Sequence, residues 1–292
     1  MTIKHLVLPG GGPNILYVYG VLKRLHSKQI WNYSDIESIH GTSAGAIMGL
    51  IIILNINWDD LDNYIINRPW EKVFSFSPQH FLDAYKNKGL LDISKIKTIC
   101  EPLFKTADIS SSITLKELYE HTGKEFYVYV TELNKFELVT ISHKTHPDMQ
   151  VISAVYLSSI IPPLFTPVIK EKCCYLDGGL FANYPLEQCI QNMPDVDIND
   201  ILGIKFIINV DEKTFIDDNS NLSEYLFYII KKLTGFIEKT KNNTINIKNE
   251  VLIKTNGCDL EFWNKMIYNK DLRESIINEG CEFADIYLEY KA

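Results

Sequence analysis

The chain has 292 residues, of which 46% are hydrophobic and 23% are charged, so it can bury a sizeable core and is not disordered by composition. Its length fits one large α/β domain or two small ones, and we predict a single domain over residues 1–292. The formal net charge of −8 argues against nucleic acid as the main partner, because proteins bind phosphate backbones chiefly with Lys and Arg.

The N-terminal part of the chain alternates strand-like and helix-like runs. A strand over Ile3–Leu8 leads through a turn at Gly10–Pro13 into a helix over Ile15–Lys28, whose apolar residues recur at the helical period. A short strand over Ile36–His40 then precedes a buried helix over Ala44–Leu54.

The rest of the chain continues this alternation. Helices are predicted at Trp58–Arg68, Leu91–Phe104, Leu115–His121, Val151–Ser158, Leu222–Lys241 and Leu272–Tyr290. Strands are predicted at Glu125–Leu133, Glu137–Ser142, Cys173–Leu176 and Ile204–Val210, the first two as a hairpin. Irregular segments are predicted at Glu71–Asn87, Asn192–Asp200 and Asp211–Ser220. Strands that alternate with helices predict a mostly parallel sheet covered on both faces.

The cysteines and the N-terminus indicate the compartment. No two of the six cysteines form a C-x-x-C pair, so reduced thiols fit better than a zinc site or a disulfide framework. The run Met1–Leu8 meets glycine too soon for a signal peptide, and the apolar run Ala44–Leu54 is too short to span a bilayer. The sequence therefore predicts a cytoplasmic protein whose contact with any membrane is peripheral.

A serine lies on a predicted turn between strand and helix, in the motif Gly41-Thr42-Ser43-Ala44-Gly45. A nucleophile elbow needs this order, with glycines flanking the serine so that neighbouring chains approach closely. The helix N-terminus behind Ser43 adds free N–H groups and positive potential. The alternative is an ordinary turn in which Ser43 caps the helix.

A second motif, Gly10-Gly11-Gly12-Pro13, follows the first predicted strand. Three glycines let backbone N–H groups point into a pocket without obstruction by side chains, which would suit an oxyanion hole. A dinucleotide fingerprint fails because Ile15 occupies its third glycine position, and a P-loop fails because no G-K-[ST] follows. A tight connection between strand and helix stays open as the structural alternative.

The residues alone do not fix the base that would activate Ser43. Asp177-Gly178-Gly179 follows a predicted strand, and no histidine follows Asp177, so the order Ser…Asp…His of α/β-hydrolases is excluded with this aspartate. A triad through His143 or His146 stays open, and so does a dyad in which a buried Asp177 with a raised pKa bonds Ser43 directly. The Asp-Gly pair also suits a hairpin turn.

The three motifs, in this order, resemble the patatin-like phospholipase family over about residues 4–190. Gly41–Gly45 matches the family's nucleophile motif in full, and Asp177–Gly179 matches its catalytic aspartate motif in full. Further stretches look like the family at Gly20–Lys23, Gly89–Asp92, Thr114–Gly123, Ser159–Phe165 and Asn183–Pro185.

The resemblance implies a three-layer α/β/α sandwich with a mostly parallel central sheet, and it implies no metal and no other cofactor. It also implies that Ser43 is the nucleophile and that Asp177 is the base, without a histidine. The implied oxyanion hole consists of the backbone of Gly10, Gly11 and Gly12, and the supporting glycines are Gly41, Gly45, Gly178 and Gly179. The implied activity is hydrolysis of carboxylic esters of phospholipids or related lipids through an acyl-enzyme.

The glycine-rich motif departs from the family pattern, which usually continues with a basic residue and another glycine. Asn14 and Ile15 stand at those positions here, so the positive charge is lost. This departure keeps open a catalytically weakened lipid-binding or regulatory protein. A thioesterase or small-ester esterase that uses the same dyad is the third hypothesis.

Two segments bear on how a lipid would be reached. The predicted helix Leu222–Lys241 places one apolar stripe near several lysines; the stripe is Leu222, Leu226, Ile229, Leu233 and Phe236, and the lysines are Lys231, Lys232, Lys239 and Lys241. This pattern fits an interfacial helix, although a helix packed on the sheet is the commoner case. The aromatic segment Trp70–Phe76 fits a lid over an acyl pocket or a loop that covers the core.

Overall fold

The computed structural model describes residues 2–75, 78–208, 216–240 and 245–291. Within these ranges the strands are β1 (His5–Leu8), β2 (Ser38–Thr42), β3 (Glu125–Glu132), β4 (Glu137–Ile141), β5 (Val168–Lys170), β6 (Cys173–Asp177), β7 (Ile201–Ile208) and β8 (Asn249–Thr255). The helices of the same ranges are α1 (Ile15–Ser27), α2 (Ala44–Ile53), α3 (Trp58–Asn67), α4 (Trp70–Val73), α5 (Pro78–Asn87), α6 (Ile93–Thr106), α7 (Leu115–Thr122), α8 (Val151–Ser158), α9 (Gly179–Ala182), α10 (Leu186–Asn192), α11 (Leu222–Thr240), α12 (Leu260–Tyr268) and α13 (Lys270–Lys291).

The strands form a mostly parallel sheet in the order β5-β6-β3-β2-β1-β7-β8, with β4 also paired to β3. Strands β1, β2, β3, β7 and β8 run parallel to one another, whereas β4 and β6 are antiparallel to β3, and β5 is antiparallel to β6. All four residues of β1 are buried, as expected for a parallel strand that is covered on both faces.

Helices cover both faces of the sheet around β1. Successive side chains of a strand point to opposite faces. Leu6 and Leu8 belong to the main hydrophobic core, whereas Val7 packs in a second cluster with Leu186 of α10. This arrangement confirms the predicted α/β class with a mostly parallel central sheet.

Most predicted elements are confirmed with their ends shifted by a few residues, and the β3–β4 hairpin is antiparallel as expected. The prediction of an irregular segment over Glu71–Asn87 is wrong, because α4 and α5 occupy most of it. Pro78 is the first residue of α5, a position that proline favours because the first helical N–H needs no intrahelical acceptor. The elements that the sequence patterns did not reveal are β5, β8, α9, α10 and α12.

Some predicted positions lie outside the described residues. They are Phe76 of the aromatic segment, residues 209–210 of the predicted strand, residues 211–215 of the acidic loop, and Lys241. Among the helices of the described ranges, no helix combines the length and the apolar composition that crossing a bilayer requires.

Candidate active site

The register of β3 brings the ends of β2 and β6 together. One edge of β3 pairs with β4. The other edge pairs with β2 as far as Thr42, opposite Tyr129, and with β6 from Asp177, opposite Val130. Strands β2 and β6 therefore meet end to end at consecutive positions of β3. Because Ser43 directly follows Thr42, the two predicted reacting residues lie side by side although they are distant in the sequence.

Ser43 occupies a sharp turn between β2 and α2, called the elbow below. Its backbone has φ 55° and ψ −127°, a conformation that residues other than glycine adopt only at a cost. The Ser43 N–H donates to Ser158 Oγ at 2.8 Å, and Ser158 Oγ donates to the carbonyl oxygen of Tyr129 at 2.6 Å. These buried hydrogen bonds tie the elbow to α8 and β3 and hold Ser43 in its unusual conformation.

Gly45 lets the start of α2 approach the end of β1. A Cβ atom at this position would lie 2.4 Å from the carbonyl oxygen of Leu8 and 2.6 Å from that of Pro9. Only a residue without a side chain fits against this backbone. The motif glycine therefore places the elbow next to the chain that leaves β1, which is the glycine-rich loop.

Asp177 ends β6 with its carboxyl group beside Ser43. Oδ1 accepts a hydrogen bond from the Gly179 N–H at 2.7 Å. The residue as a whole is half-buried, but Oδ2 is buried and has no partner of full hydrogen-bond geometry among the described residues. Burial raises the pKa of Asp177 to about 6, while the Ser43 hydroxyl and the Gly179 amide counteract part of that rise. The group is therefore mostly a carboxylate near pH 7, with one oxygen available to a proton from Ser43.

The glycine-rich loop lies against the elbow, since a Cβ on Gly10 would be 3.1 Å from Ser43 Cβ. The Gly10 N–H already donates to the carbonyl oxygen of Asn183 at 2.9 Å, so this predicted oxyanion donor is engaged within the protein. In the described part of the chain, the N–H groups of Gly11 and Gly12 have no acceptor. The Ala44 N–H, the first of α2, also has none. Among the described residues, the unpaired donors around the elbow thus include the N–H groups of Gly11, Gly12 and Ala44.

Ser43 and Gly12 are among the residues that line an apolar cavity of about 180 Å³. Its walls come from α2, α4, α6 and α12 and are mostly aliphatic or aromatic, including Ile47, Met48, Ile51, Trp70, Ile96, Ile99, Leu103, Trp263, Met266 and Ile267. Arg273 also borders the cavity, but it is buried and donates to the carbonyl oxygens of Ile66, Met266 and Ile267. The space beside the serine therefore suits a hydrocarbon chain rather than a charged group.

The two histidines of the alternative triad make other contacts. His143 stacks on Tyr119 with ring centroids 3.9 Å apart, and His146 Nδ1 pairs with Thr145 Oγ1 at 2.9 Å. Within the described residues, neither ring hydrogen-bonds to Ser43 or to Asp177. The geometry therefore favours the direct arrangement of Ser43 and Asp177 over the triad.

Three supporting residues had no role in the sequence analysis. Asn183 accepts from the Gly10 N–H through its carbonyl oxygen and donates to the Gly10 carbonyl oxygen from Nδ2 at 3.2 Å. Ser158 holds the Ser43 N–H, and Thr131 Oγ1 donates to the carbonyl oxygen of Asp177 at 2.8 Å. Asn183 lies in a stretch that resembles the family, whereas nothing in the sequence distinguishes Ser158 or Thr131 from other serines and threonines.

Two viral proteins are similar in sequence to this chain. The chain is 28% identical over 190 residues to "Probable lipid hydrolase 463L" of Invertebrate iridescent virus 6, covering 64% of the chain and 63% of that protein. It is 24% identical over 204 residues to "Uncharacterized protein R571" of Acanthamoeba polyphaga mimivirus, covering 70% of the chain and 65% of that protein. The matches therefore span just under two thirds of the length of these relatives.

The same fold occurs in a solved bacterial structure. The chain aligns with VipD from Legionella pneumophila at a TM-score of 0.51 and 17% identity, covering 95% of the chain and 67% of VipD. The sequence model of patatin-like phospholipases matches residues 6–190, which is well over half of the chain and includes the elbow, the glycine-rich loop and Asp177. From this match and the fold that carries it, we conclude that the chain belongs to the patatin-like phospholipase family.

Proposed function

We propose that this protein is a lipid acyl hydrolase that cleaves carboxylic esters of phospholipids or related lipids through Ser43 and Asp177. The family and the name of the viral relative, a probable lipid hydrolase, support a lipid substrate. One observation carries the proposal. A serine on a strained elbow lies beside a buried carboxyl group with a pKa of about 6 and lines an apolar cavity.

In the first half of the proposed reaction, the Asp177 carboxylate accepts the proton of Ser43 Oγ while Oγ attacks the ester carbonyl carbon. Negative charge develops on the carbonyl oxygen, and we assign its stabilisation to the N–H groups of Gly11, Gly12 and Ala44 because these donors are unpaired. The ester bond then breaks, and the alcohol leaves with the proton from Asp177. The product of this half is an acyl group bound to Ser43.

In the second half, water attacks the acyl carbonyl and gives a proton to Asp177. The bond to Ser43 Oγ breaks, and the proton returns to Oγ, so the free enzyme is regenerated and the fatty acid leaves. The apolar cavity would hold the acyl chain in both halves, at about 0.8 kcal/mol for each methylene group that it removes from water.

A fluorophosphonate probe tests the nucleophile without knowledge of the substrate. We expect covalent labelling of the wild type and complete loss in Ser43→Ala. Ser159→Ala is a matched control, because Ser159 borders the same cavity but donates its hydroxyl to the carbonyl oxygen of Val155 at 2.8 Å. Labelling that persists in Ser43→Ala, or that depends on Ser159, would contradict the proposal.

Hydrolysis of two substrate forms separates the proposal from the other hypotheses. A lipid acyl hydrolase releases fatty acid from phospholipid vesicles, as measured by mass spectrometry of the products. A small-ester esterase or thioesterase acts on short soluble esters and leaves vesicles intact. A lipid-binding protein without catalysis neither hydrolyses these substrates nor reacts with the fluorophosphonate.

A further inference from the structure

Helix α11 is rich in apolar residues, yet none of its described side chains is buried. Four large apolar residues are strongly exposed: 72% for Leu222, 48% for Tyr225, 51% for Leu233 and 66% for Phe236. We call these four residues the α11 stripe. Exposure of this kind along a whole helix is unusual for a protein surface and indicates that the helix meets something other than water.

The exposed residues share one side of the helix. At 3.6 residues per turn, spacings of three, eight and three residues keep the four side chains within an arc of about 80° around the helix axis, so they form one apolar row. Phe227 points to the opposite side and packs against the main core. The helix is therefore attached to the protein by one face while it presents its apolar row to solvent.

The stripe lies close to the proposed active site. Helix α11 packs on α9, which begins two residues after Asp177. The exposed Phe136, in the β3–β4 turn, rests on Phe181 of the same helix with ring centroids 4.9 Å apart. Helix α9, which follows Asp177, therefore contacts both helix α11 and Phe136.

A lysine beside the α11 stripe favours an anionic partner. Lys232, seven residues after Tyr225 and four before Phe236, is exposed on the side of the stripe and forms no ion pair with a carboxylate in the described part of the chain. It stands out in a chain whose net charge is −8. An apolar row beside a lysine that lacks a carboxylate partner is the pattern of a helix that lies in the interface of a membrane with anionic head groups.

We propose that the α11 stripe and Phe136 form a docking surface for an anionic phospholipid bilayer, which holds the Ser43 site against the lipid. The choice of a bilayer as the partner rests on the proposed function. In the docked state the stripe enters the boundary between head groups and acyl chains, and Lys232 lies at the level of the phosphates.

Vesicle binding of the Ser43→Ala protein tests this surface, because no lipid is consumed in that background. Vesicles of phosphatidylcholine with phosphatidylserine are compared with vesicles of phosphatidylcholine alone by co-sedimentation. We expect Leu233→Ser/Phe236→Ser to weaken binding to the anionic vesicles by about tenfold or more. Lys232→Gln should weaken binding to the anionic vesicles by about fivefold and change binding to phosphatidylcholine little. Lys231→Gln, on the side of Phe227, should leave binding to both kinds of vesicle unchanged.

The matched control is Ile286→Ser/Tyr290→Ser. These two residues of α13 are 49% and 91% exposed. The neighbouring Lys291 donates to Asn249 at the start of β8, so this end of α13 lies at the other end of the sheet from the elbow. The control should bind like its parent. An equal loss in the control, or no loss in Leu233→Ser/Phe236→Ser, would overturn the docking surface. A dimer that this double variant converts to monomer would also overturn it, by showing that a second copy covers the stripe.

The outcomes for docking and for catalysis are separate. With Ser43 restored, Leu233→Ser/Phe236→Ser should hydrolyse a short soluble ester at the wild-type rate and vesicles more slowly. Vesicle binding that depends on the stripe, in a wild type that hydrolyses neither substrate, would refute the proposed function and leave the docking surface standing. If the stripe substitutions leave vesicle hydrolysis unaffected, the docking surface is refuted and the proposed function stands.

Discussion

Burial changes what Asp177 can do as a base. An aspartate with the ordinary pKa of about 3.9 takes a proton from a serine hydroxyl poorly. A pKa of about 6 lies closer to neutral pH, so the same group is still mostly ionised there but is a stronger base. The Gly179 N–H fixes Oδ1 and leaves Oδ2 for Ser43.

We therefore expect hydrolysis to depend on pH with a limb near pH 6. In the proposed mechanism only the carboxylate form of Asp177 accepts the Ser43 proton, so kcat/KM should rise about tenfold per pH unit below about pH 6 and level off above it. The measurement is a pH–rate profile on a soluble ester. The control is His143→Asn/His146→Asn. The ordinary pKa of histidine is about 6.5, and burial lowers the pKa of both of these histidines, so their titration has to be separated from that of Asp177. The limb should persist without them. A limb that disappears in this variant would contradict the assignment to Asp177.

The same pKa predicts a cost in stability. The folded-state pKa of about 6 exceeds the unfolded value, so the folded protein binds more protons between about pH 4 and pH 6, and stability falls as the pH rises through that window. Asp177→Asn removes the titration. We expect its free energy of unfolding to exceed that of the wild type by about 1–3 kcal/mol near pH 8, with little difference near pH 4.

Urea denaturation at both pH values measures this difference, and a loss of hydrolysis in Asp177→Asn should accompany the gain in stability. A variant that is less stable than the wild type at pH 8 would show that Asp177 stabilises the fold as a carboxylate. That result would contradict the raised pKa of Asp177 on which the proposed role of this residue depends.

At the scale of elements, the site depends on close packing between the start of α2 and the end of β1. Gly45→Ala would place a Cβ atom 2.4 Å from the Leu8 carbonyl oxygen, so the helix must shift. We expect a loss of about 1–3 kcal/mol in the free energy of unfolding, as for other overpacked sites, together with slower fluorophosphonate labelling of Ser43.

Gly235→Ala is the matched control for this substitution. Gly235 lies within α11, and a Cβ there would meet nothing within 4 Å. Alanine should therefore be neutral or stabilise the protein by about 0.5–1 kcal/mol through helix propensity. Thermal unfolding followed by circular dichroism compares the two. Equal effects at Gly45 and Gly235 would mean that the α2–β1 contact does not position the elbow.

At the scale of the whole molecule, local sequence patterns predicted the elements that are local in origin. The strand before Gly10, the elbow at Ser43 and the β3–β4 hairpin each follow from contiguous residues. The meeting of β2 and β6 on one edge of β3 depends on register between distant strands, which no local pattern encodes.

The remaining features arise only from tertiary contacts. Engagement of the Gly10 N–H requires Asn183 to lie beside it. Trp263 lies on α12, a helix that the sequence did not predict. A Cβ atom on Gly12 would be 3.0 Å from the ring of Trp263. The sequence also predicted the apolar row of α11, but which side of a helix meets the protein depends on what packs against it.

The position of β7 leads us to propose that residues 1–292 are one folding unit, although the family match ends at residue 190. Strand β7 pairs with β1, whose other neighbour is β2, and it contributes the fully buried Leu202 and Ile204. Helix α13 packs on α1 so closely that a Cβ on Gly20 would lie 2.1 Å from the carbonyl oxygen of Ile277. The region after residue 200 thus completes the sheet and the core around the glycine-rich loop.

A fragment of residues 1–200 should therefore lack a cooperative unfolding transition and fail to react with a fluorophosphonate, because one edge of β1 and the inner face of α1 would be exposed to water. The control replaces residues 216–240 by a glycine–serine linker of equal length in the full chain. None of the described side chains of α11 is buried and only Phe227 among them packs against the main core, so this variant should still unfold cooperatively and be labelled at Ser43. Calorimetry and fluorophosphonate labelling distinguish fragment 1–200 from the full chain with the linker. A fragment 1–200 that melts cooperatively would show that the family-matched region folds independently.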